Sequence, residues 1–308
     1  MRVVTILGTR PEIIRLSLIM KELDRLAERH AVIHTGQNFT ATLSDIFFQE
    51  MNLRQPDYLL KMQGQTLGGQ LSIMMAQAER ILLEEKPDRV LILGDTNSAL
   101  CAVLAERMGI PVVHMEAGNR CFDLNVPEEK NRKVVDAISS INMPYTKQSR
   151  ENLIREGIPG RRIVLTGNPI YEVLTAYGRP ITDSAILQKM KLQARQYFLV
   201  TAHRSENVDS VKNLTEILEG LNLIADKYKL PIVCSTHPRT TSRLSLLPAL
   251  SVHPLIQFHE PFGFFDFVHL EQKCFLRADR QWDGTGRMLH FRDSDSHHAQ
   301  HDGEAGNG

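Results

Sequence analysis

Carboxyl side chains that could move a proton follow two apolar runs in the first half of the chain. Asp95 comes directly after "DRVLILG", and Glu116 and Glu128 come in the loop after "PVVHM". An Asp before Thr and Asn is also a good helix N-cap, and some carboxylates of this loop must be surface charges. Carboxyl groups that lie close together push each other's pKa values apart. Grouped in this way, the three residues could serve as general acids and bases.

Cationic side chains follow other apolar runs, where they could bind phosphate oxygens. They are Arg10 and Arg15 after "VVTILGT", Arg120 beside Glu116, and His203, Arg204, His237 and Arg239 after two runs in the second half. Guanidinium forks suit a diphosphate, a histidine adds a group that titrates near neutrality, and backbone amides after Gly8 could meet an anion at a helix N-terminus. A glycine turn with solvated arginines, or a structural histidine, is the alternative at each place taken singly.

Composition and missing motifs exclude several classes of protein. Acidic and basic residues balance at 36 each, which gives no support for binding to nucleic acid or to an anionic membrane. The chain has no dinucleotide-binding glycine fingerprint, no P-loop and no zinc-protease motif, and its four cysteines are scattered. No apolar run is long enough to cross a bilayer. These features indicate a cytoplasmic protein with neither a metal nor a redox cofactor.

The apolar runs alternate with amphipathic stretches of helical period, which predicts an α/β fold with parallel sheets. The rhythm is interrupted between Tyr171 and Lys191 and then restarts. We therefore predict two Rossmann-like doubly wound lobes, residues 1–170 and 171–272, followed by a tail at 273–308. The second lobe is incomplete, because it holds fewer strands before Lys273 than a doubly wound half contains.

Together these segments resemble the non-hydrolysing UDP-N-acetylglucosamine 2-epimerases from Met1 to Gln272. The resemblance rests on "GTRPE", "GDTNS", "HMEAGNRCFD", "PEEKNR", "GNPI", "VTAHRSEN", "HPR" and "EPFGFFDFVHLEQ", in this order and spacing. It implies a glycosyltransferase-B-like fold, an active site in the cleft between two lobes, and a homodimer. It also implies interconversion of UDP-N-acetylglucosamine and UDP-N-acetylmannosamine by elimination and re-addition of UDP, without a cofactor.

Matched position by position, the resemblance gives roles to some of the candidates. Arg10 matches the arginine that binds the diphosphate, and Arg15 falls where many members have lysine. The family's acid/base carboxylates are matched by Asp95, Glu116 and Glu128. A histidine needed for activity is matched by His203. The form "EAGNRCFD" differs from the commoner "EAGLRTGD" and is similar to relatives that act on other UDP-2-acetamido sugars, such as 6-deoxy ones.

Other functions remain open at this point. A glycosyltransferase of the same two-lobe fold would bind a similar nucleotide sugar, but it has no need of carboxylates flanking C2. A hydrolysing epimerase would release UDP irreversibly, and a remnant would bind nucleotide without turnover.

The tail departs from the family after "VHLEQ", where members carry an element that holds the nucleotide. Codons compatible with Lys273 onward, read one base displaced, give "NAFCALTDSGTVQEECC", which matches that element. We therefore interpret residues 273–308 as out-of-frame translation, and we expect no regular element there and impaired activity. Sequencing the coding DNA across residues 265–308 tests this, and codons that cannot yield the motif would contradict it.

Overall fold

The computed structural model describes residues 1–36, 41–61, 66–202, 211–236, 252–279 and 290–292. Its contacts divide the chain into two compact units, Met1–Tyr177 and Gly178–Gly308. The predicted boundary at residue 170 lies at the start of a helix that belongs to the first unit. Tyr177, just after that helix, donates a hydrogen bond to the carbonyl oxygen of Met51 at 3.0 Å and so ties the segment to this unit.

The first unit is built on a parallel sheet of order β3-β2-β1-β4-β5-β6. Its strands are β1 (Arg2–Leu7), β2 (Arg29–His34), β3 (Tyr58–Leu59), β4 (Arg89–Leu93), β5 (Val112–Met115) and β6 (Ile141–Met143). This is the strand order of a Rossmann fold, in which ligands bind beyond the carboxyl ends of the strands. The predicted α/β class with parallel sheets is confirmed.

In the described part of this unit, five helices connect these strands and two more follow β6. They are α1 (Arg10–Leu26), α2 (Ala41–Glu50), α3 (Leu67–Glu85), α4 (Cys101–Arg107), α5 (Pro127–Ile138), α6 (Lys147–Arg155) and α7 (Ile170–Ala176). Short 3₁₀ turns lie at Asn97–Leu100 and Gly160–Arg162. None of the described helices is long and apolar enough to cross a membrane.

The central strands are buried on both faces, which explains their continuous apolar sequences. In β1, Val4, Ile6 and Leu7 are each at most 1% exposed. One face packs against α3 and α4 through Met74, Ala78 and Ala102, among others. Burial of this kind stabilises the fold by about 25 cal/mol per Å² of apolar surface, and it fixes the strand ends where the candidate residues lie.

The second unit holds a sheet of order β11-β10-β7-β8-β9, parallel except for the β10–β11 pair. Its strands are β7 (Phe198–Ala202), β8 (Ile232–Thr236), β9 (Ile256–His259), β10 (Leu276–Asp279) and β11 (His290–Arg292). Its helices are α8 (Gly178–Thr182), α9 (Ile186–Lys189), α10 (Val211–Tyr228) and α11 (Phe264–Lys273). Tyr197 anchors α11, because its hydroxyl donates to the carbonyl of Leu270 at 2.6 Å.

The structure places β10 inside the segment where we expected no regular element. Leu276 packs on the apolar cluster of this sheet, and Phe275 lies edge-on to Phe198 with ring centroids 5.5 Å apart. A short apolar run can pair with the open edge of a parallel sheet whatever reading frame produced it. The expectation was therefore wrong for Leu276–Asp279 and for His290–Arg292, which pairs with it.

Gly118 sets how closely α6 approaches the loop after β5. Its φ is 77°, and a methyl group at its Cα would lie 2.2 Å from the carbonyl oxygen of Ser149. The position thus excludes every side chain, both by conformation and by contact. Asn152 completes this junction by donating from Nδ2 to the carbonyl of Gly118 at 3.0 Å.

We predict that Gly118→Ala lowers the free energy of unfolding by about 3–5 kcal/mol, from left-handed strain plus overpacking. Gly109→Ala is the matched control. Its φ is also 77°, but no atom lies within 4 Å of the added methyl, so strain alone should cost about 1–2 kcal/mol. Denaturant unfolding of both variants measures the difference, and equal losses would contradict the close contact.

Candidate active site

Glu116 lies one residue after β5 and turns its carboxyl over the end of β4. Its backbone is left-handed, with φ 65°, and a methyl group on Gly94 would lie 3.7 Å from its Oε2. Arg15 of α1 pairs with the same Oε2, and Asn119 Nδ2 donates to Oε1 at 3.1 Å. Burial raises the pKa of Glu116, which the charge of Arg15 opposes and that of Asp95 reinforces. Left-handed backbone at a non-glycine residue is costly and is commonly found at functional sites.

Asp95 lies after β4 and is held by α5. Arg132 Nε lies 2.7 Å and Arg132 Nη2 2.6 Å from Asp95 Oδ2. Asn131 fixes the backbone at the same place, with Nδ2 donating to the carbonyl of Asp95 at 2.9 Å. Because Glu116 lies over Gly94, the residue before Asp95, the structure brings Asp95 and Glu116 together, each paired with an arginine from a different helix.

Glu129 is the buried carboxylate that orients Arg132. Arg132 Nη1 lies 2.7 Å from Glu129 Oε2, and the amides of Cys121 and Phe122 donate to the same carboxylate at 3.1 and 3.3 Å. Burial alone would raise the pKa of Glu129, but the hydrogen bonds from Cys121 and Arg132 hold it below its ordinary value. Glu129 thus pins the loop after Glu116 to α5.

Glu12 is a second buried carboxylate, and it joins the loops after β1 and β4. The amides of Gly8 and Thr9 donate to its Oε2 at 2.5 and 2.9 Å, and Thr96 Oγ1 donates to its Oε1 at 2.6 Å. These amides therefore donate to a side chain of the protein itself, whereas the sequence suggested that they bind an anionic ligand at this helix N-terminus. Thr96 follows Asp95 directly, so that Glu12 helps to fix the position of Asp95.

Arg10 begins α1 and forms no ion pair with the residues that the structure describes. Its guanidinium carbon lies 5.9 Å from the centroid of the Phe47 ring, and burial lowers the pKa of Arg10. A partly buried guanidinium beside an aromatic ring is well placed to receive an anion.

Arg120 has protein partners on all three guanidinium nitrogens. Its Nη1 lies 2.8 Å from Asp136 Oδ2, and Nε and Nη2 lie 2.9 and 2.5 Å from the oxygens of Glu156. The same Asp136 accepts a hydrogen bond from the amide of Gly118 at 3.1 Å. In this structure Arg120 therefore supports the loop that carries Glu116.

The remaining predicted residues are not joined to this cluster by described contacts. Glu128 lies exposed in the first turn of α5, next to buried Glu129. His203, Arg204, His237 and Arg239 lie outside the described residues. Within the described ranges, no group of three His, Cys, Asp or Glu side chains could hold a metal ion.

Three residues of the cluster were not among the sequence candidates: Glu12, Glu129 and Arg132. Glu12 stands three residues after Thr9, which is the spacing of a capping box and was a usable signal. Glu129 and Arg132 stand three residues apart, a helical ion-pair spacing, but many surface pairs share it.

We predict a pH-dependent effect of Glu12→Gln on stability. Burial raises the pKa of Glu12 to about 7, whereas an unfolded glutamate has a pKa of about 4.3. The folded state therefore keeps a proton that the unfolded state releases, so this group lowers the free energy of unfolding as pH rises through that window. Relative to the wild type, Glu12→Gln should gain about 3 kcal/mol between pH 4 and pH 8.

Denaturant unfolding at several pH values measures this gain. Glu79→Gln, at an exposed position on α3, controls for the chemical change itself. A difference between Glu12→Gln and the wild type that stays constant from pH 4 to pH 8 would contradict the prediction.

Comparisons of the sequence and of the structure with known proteins indicate the same family. A family model described as UDP-N-acetylglucosamine 2-epimerase matches residues 21–276. The UDP-N-acetylglucosamine 2-epimerase of Methanocaldococcus jannaschii is 39% identical over 295 residues, covering 90% of this chain and 77% of the relative. The UDP-2,3-diacetamido-2,3-dideoxy-D-glucuronate 2-epimerase of Pseudomonas aeruginosa is 34% identical over 280 residues, covering 90% and 77%.

The solved structures agree. The crystal structure of the M. jannaschii enzyme in complex with UDP-GlcNAc and UDP matches with a TM-score of 0.84 at 38% identity. The match covers 92% of this chain and 80% of that one. This chain belongs to the UDP-N-acetylglucosamine 2-epimerase family.

Proposed function

We propose that the protein catalyses the reversible epimerisation of UDP-N-acetylglucosamine to UDP-N-acetylmannosamine at C2, at a rate that the departure of its tail from the family impairs. The main support for this proposal is the pair of carboxyl groups at the ends of β4 and β5. Asp95 pairs with Arg132 and half-buried Glu116 pairs with Arg15, and burial raises the pKa of Glu116. A carboxyl group with a raised pKa and a neighbouring carboxylate can take complementary acid and base roles.

The reaction breaks and remakes two bonds of the sugar. A carboxylate removes the C2 proton while the C1–O bond breaks, and the UDP oxygen leaves with that bond's electron pair. The resulting glycal has a C1–C2 double bond. A carboxylic acid then returns a proton to the opposite face of C2, and a UDP oxygen attacks C1. Atoms and electrons balance without any further reagent.

Glu116 is our candidate for a proton carrier at C2. A carboxyl with a raised pKa holds a proton closer to neutral pH, where proton transfer in either direction is effective. Asp95 and Glu128 are the candidates for the other face. The exposed position of Glu128 leaves its carboxylate able to approach a bound sugar.

Arg10 and Arg15 are the candidates for the departing diphosphate. Arg10 has no ion-pair partner among the described residues, and Arg15 pairs with Glu116 in the free protein. A substrate diphosphate would compete for Arg15, and loss of that pair would raise the pKa of Glu116 further. His203, Arg204, His237 and Arg239 stay in the proposal as candidates from the sequence alone, and Arg120 acts mainly through the loop that it supports.

The substrate that we propose is one of several UDP-2-acetamido sugars, which differ in the groups elsewhere on the ring. The P. aeruginosa relative carries a diacetamido glucuronate in its name, so relatives at similar identity differ in the sugar. We favour UDP-N-acetylglucosamine because the M. jannaschii relative is named for it. The cytoplasmic location and the homodimer are proposed from the sequence and the resemblance.

We predict that Glu116→Gln slows exchange of the C2 hydrogen with solvent by about 100-fold or more, because an amide cannot carry the proton. The measurement is NMR of UDP-N-acetylglucosamine incubated with the chain in heavy water. Glu151→Gln, an exposed position on α6, is the control and should exchange at the wild-type rate.

Two results would count against the proposal. If Glu116→Gln exchanges the C2 hydrogen at the wild-type rate, Glu116 does not transfer the C2 proton. Consumption of UDP-N-acetylglucosamine only in the presence of a sugar acceptor, without exchange of the C2 hydrogen, would favour a glycosyltransferase of the same fold.

A further inference from the structure

Tyr145 and Glu116 follow neighbouring strands at the carboxyl edge of the first sheet. Tyr145 stands two residues after β6, and β6 pairs with β5 so that Met143 is opposite Met115. The next residue, Thr146, caps α6 by accepting a hydrogen bond from the amide of Ser149 at 3.0 Å. The backbone on both sides of Tyr145 is therefore fixed, and its side chain is only 8% exposed.

The Tyr145 hydroxyl is buried without a hydrogen-bond partner among the described residues. Two other buried tyrosines show the usual arrangement, since Tyr177 bonds to the carbonyl of Met51 at 3.0 Å and Tyr197 to that of Leu270 at 2.6 Å. A buried hydroxyl left unpaired costs about 1–3 kcal/mol. A ligand that accepts a hydrogen bond from this hydroxyl would offset that cost.

The charges around the hydroxyl favour its role as a donor. Burial raises the pKa of Tyr145, the charge of Glu116 raises it further, and Arg15 opposes the shift. Both charged residues are thus within electrostatic reach of the phenol, and the phenol keeps its proton at neutral pH. Its partner must then be an acceptor that arrives near the Glu116 carboxyl.

We propose that the Tyr145 hydroxyl donates a hydrogen bond to the acetamido oxygen on C2 of the bound sugar. The inference rests on the proposed function, in which Glu116 acts at C2. The acetamido group is attached to that carbon, and its carbonyl oxygen is the strong acceptor nearest the moving proton. Tyr145 then selects 2-acetamido sugars and holds C2 towards Glu116.

Tyr145→Phe tests this, because it removes the hydroxyl and keeps the ring. Affinities for UDP-N-acetylglucosamine and for UDP-2-deoxyglucose, which has no group on C2, are measured by competition or calorimetry. The wild type should prefer the acetamido sugar, and Tyr145→Phe should reduce that preference about tenfold by weakening only the acetamido ligand. The variant should not unfold at a lower temperature, since the free protein loses no hydrogen bond.

Tyr197→Phe is the matched control, because it removes a hydroxyl that is paired within the protein. It should lower the unfolding temperature and keep the ligand preference. An unchanged preference in Tyr145→Phe, or an equal loss of affinity for both ligands, would overturn the inference. A wild-type chain that binds neither ligand would instead contradict the proposed function, and the inference with it.

Discussion

Two carboxyl groups held close together at the ends of neighbouring parallel strands are the constraint on which the rest of the site depends. Mutual repulsion between Asp95 and Glu116 would drive these groups apart or keep one protonated. Arg132 from α5 pairs with Asp95, and Arg15 from α1 pairs with Glu116, so that both ion pairs offset the repulsion. Helix α1 follows β1 and α5 follows β5, and β4 lies between these two strands. The Rossmann strand order thus places one guanidinium group next to each carboxyl group.

Buried carboxylates hold this arrangement in place. Glu12 joins the loops after β1 and β4, Glu129 fixes the loop after β5, and Asp136 ties that loop to Arg120. A buried carboxyl group is stabilised by the hydrogen-bond donors that surround it, and removal of one donor is costly. Each of these residues therefore acts on the chemistry through geometry, without any need to contact substrate.

Much of the fold followed from the apolar runs, because parallel strands buried on both faces leave continuous stretches of β-branched residues. Those runs also predicted which carboxylates end strands, and the structure brings Asp95 and Glu116 together. The choice between Glu128 and Glu129 was beyond the sequence. Adjacent helical residues point in different directions, and only the docking of α5 decides which one is buried.

Other features had weak signals or none. Helix α6 has a strongly polar sequence whose apolar face is narrow, so helical periodicity marks it weakly. Tyr145 follows an unremarkable short strand, and its unpaired hydroxyl is visible only once its neighbours are placed. The two-residue strand β3 is shorter than any periodic pattern can reveal.

The most direct test of a shared carboxyl site is a ¹³C NMR titration of the Glu116 carboxyl, assigned by its loss in Glu116→Gln. Proximity of Asp95 predicts a midpoint above the ordinary glutamate pKa, and a lower midpoint in Asp95→Asn, because the neighbouring negative charge is gone. A midpoint at or below the ordinary value, or one that does not respond to Asp95→Asn, would show that the two carboxyl groups do not share one site.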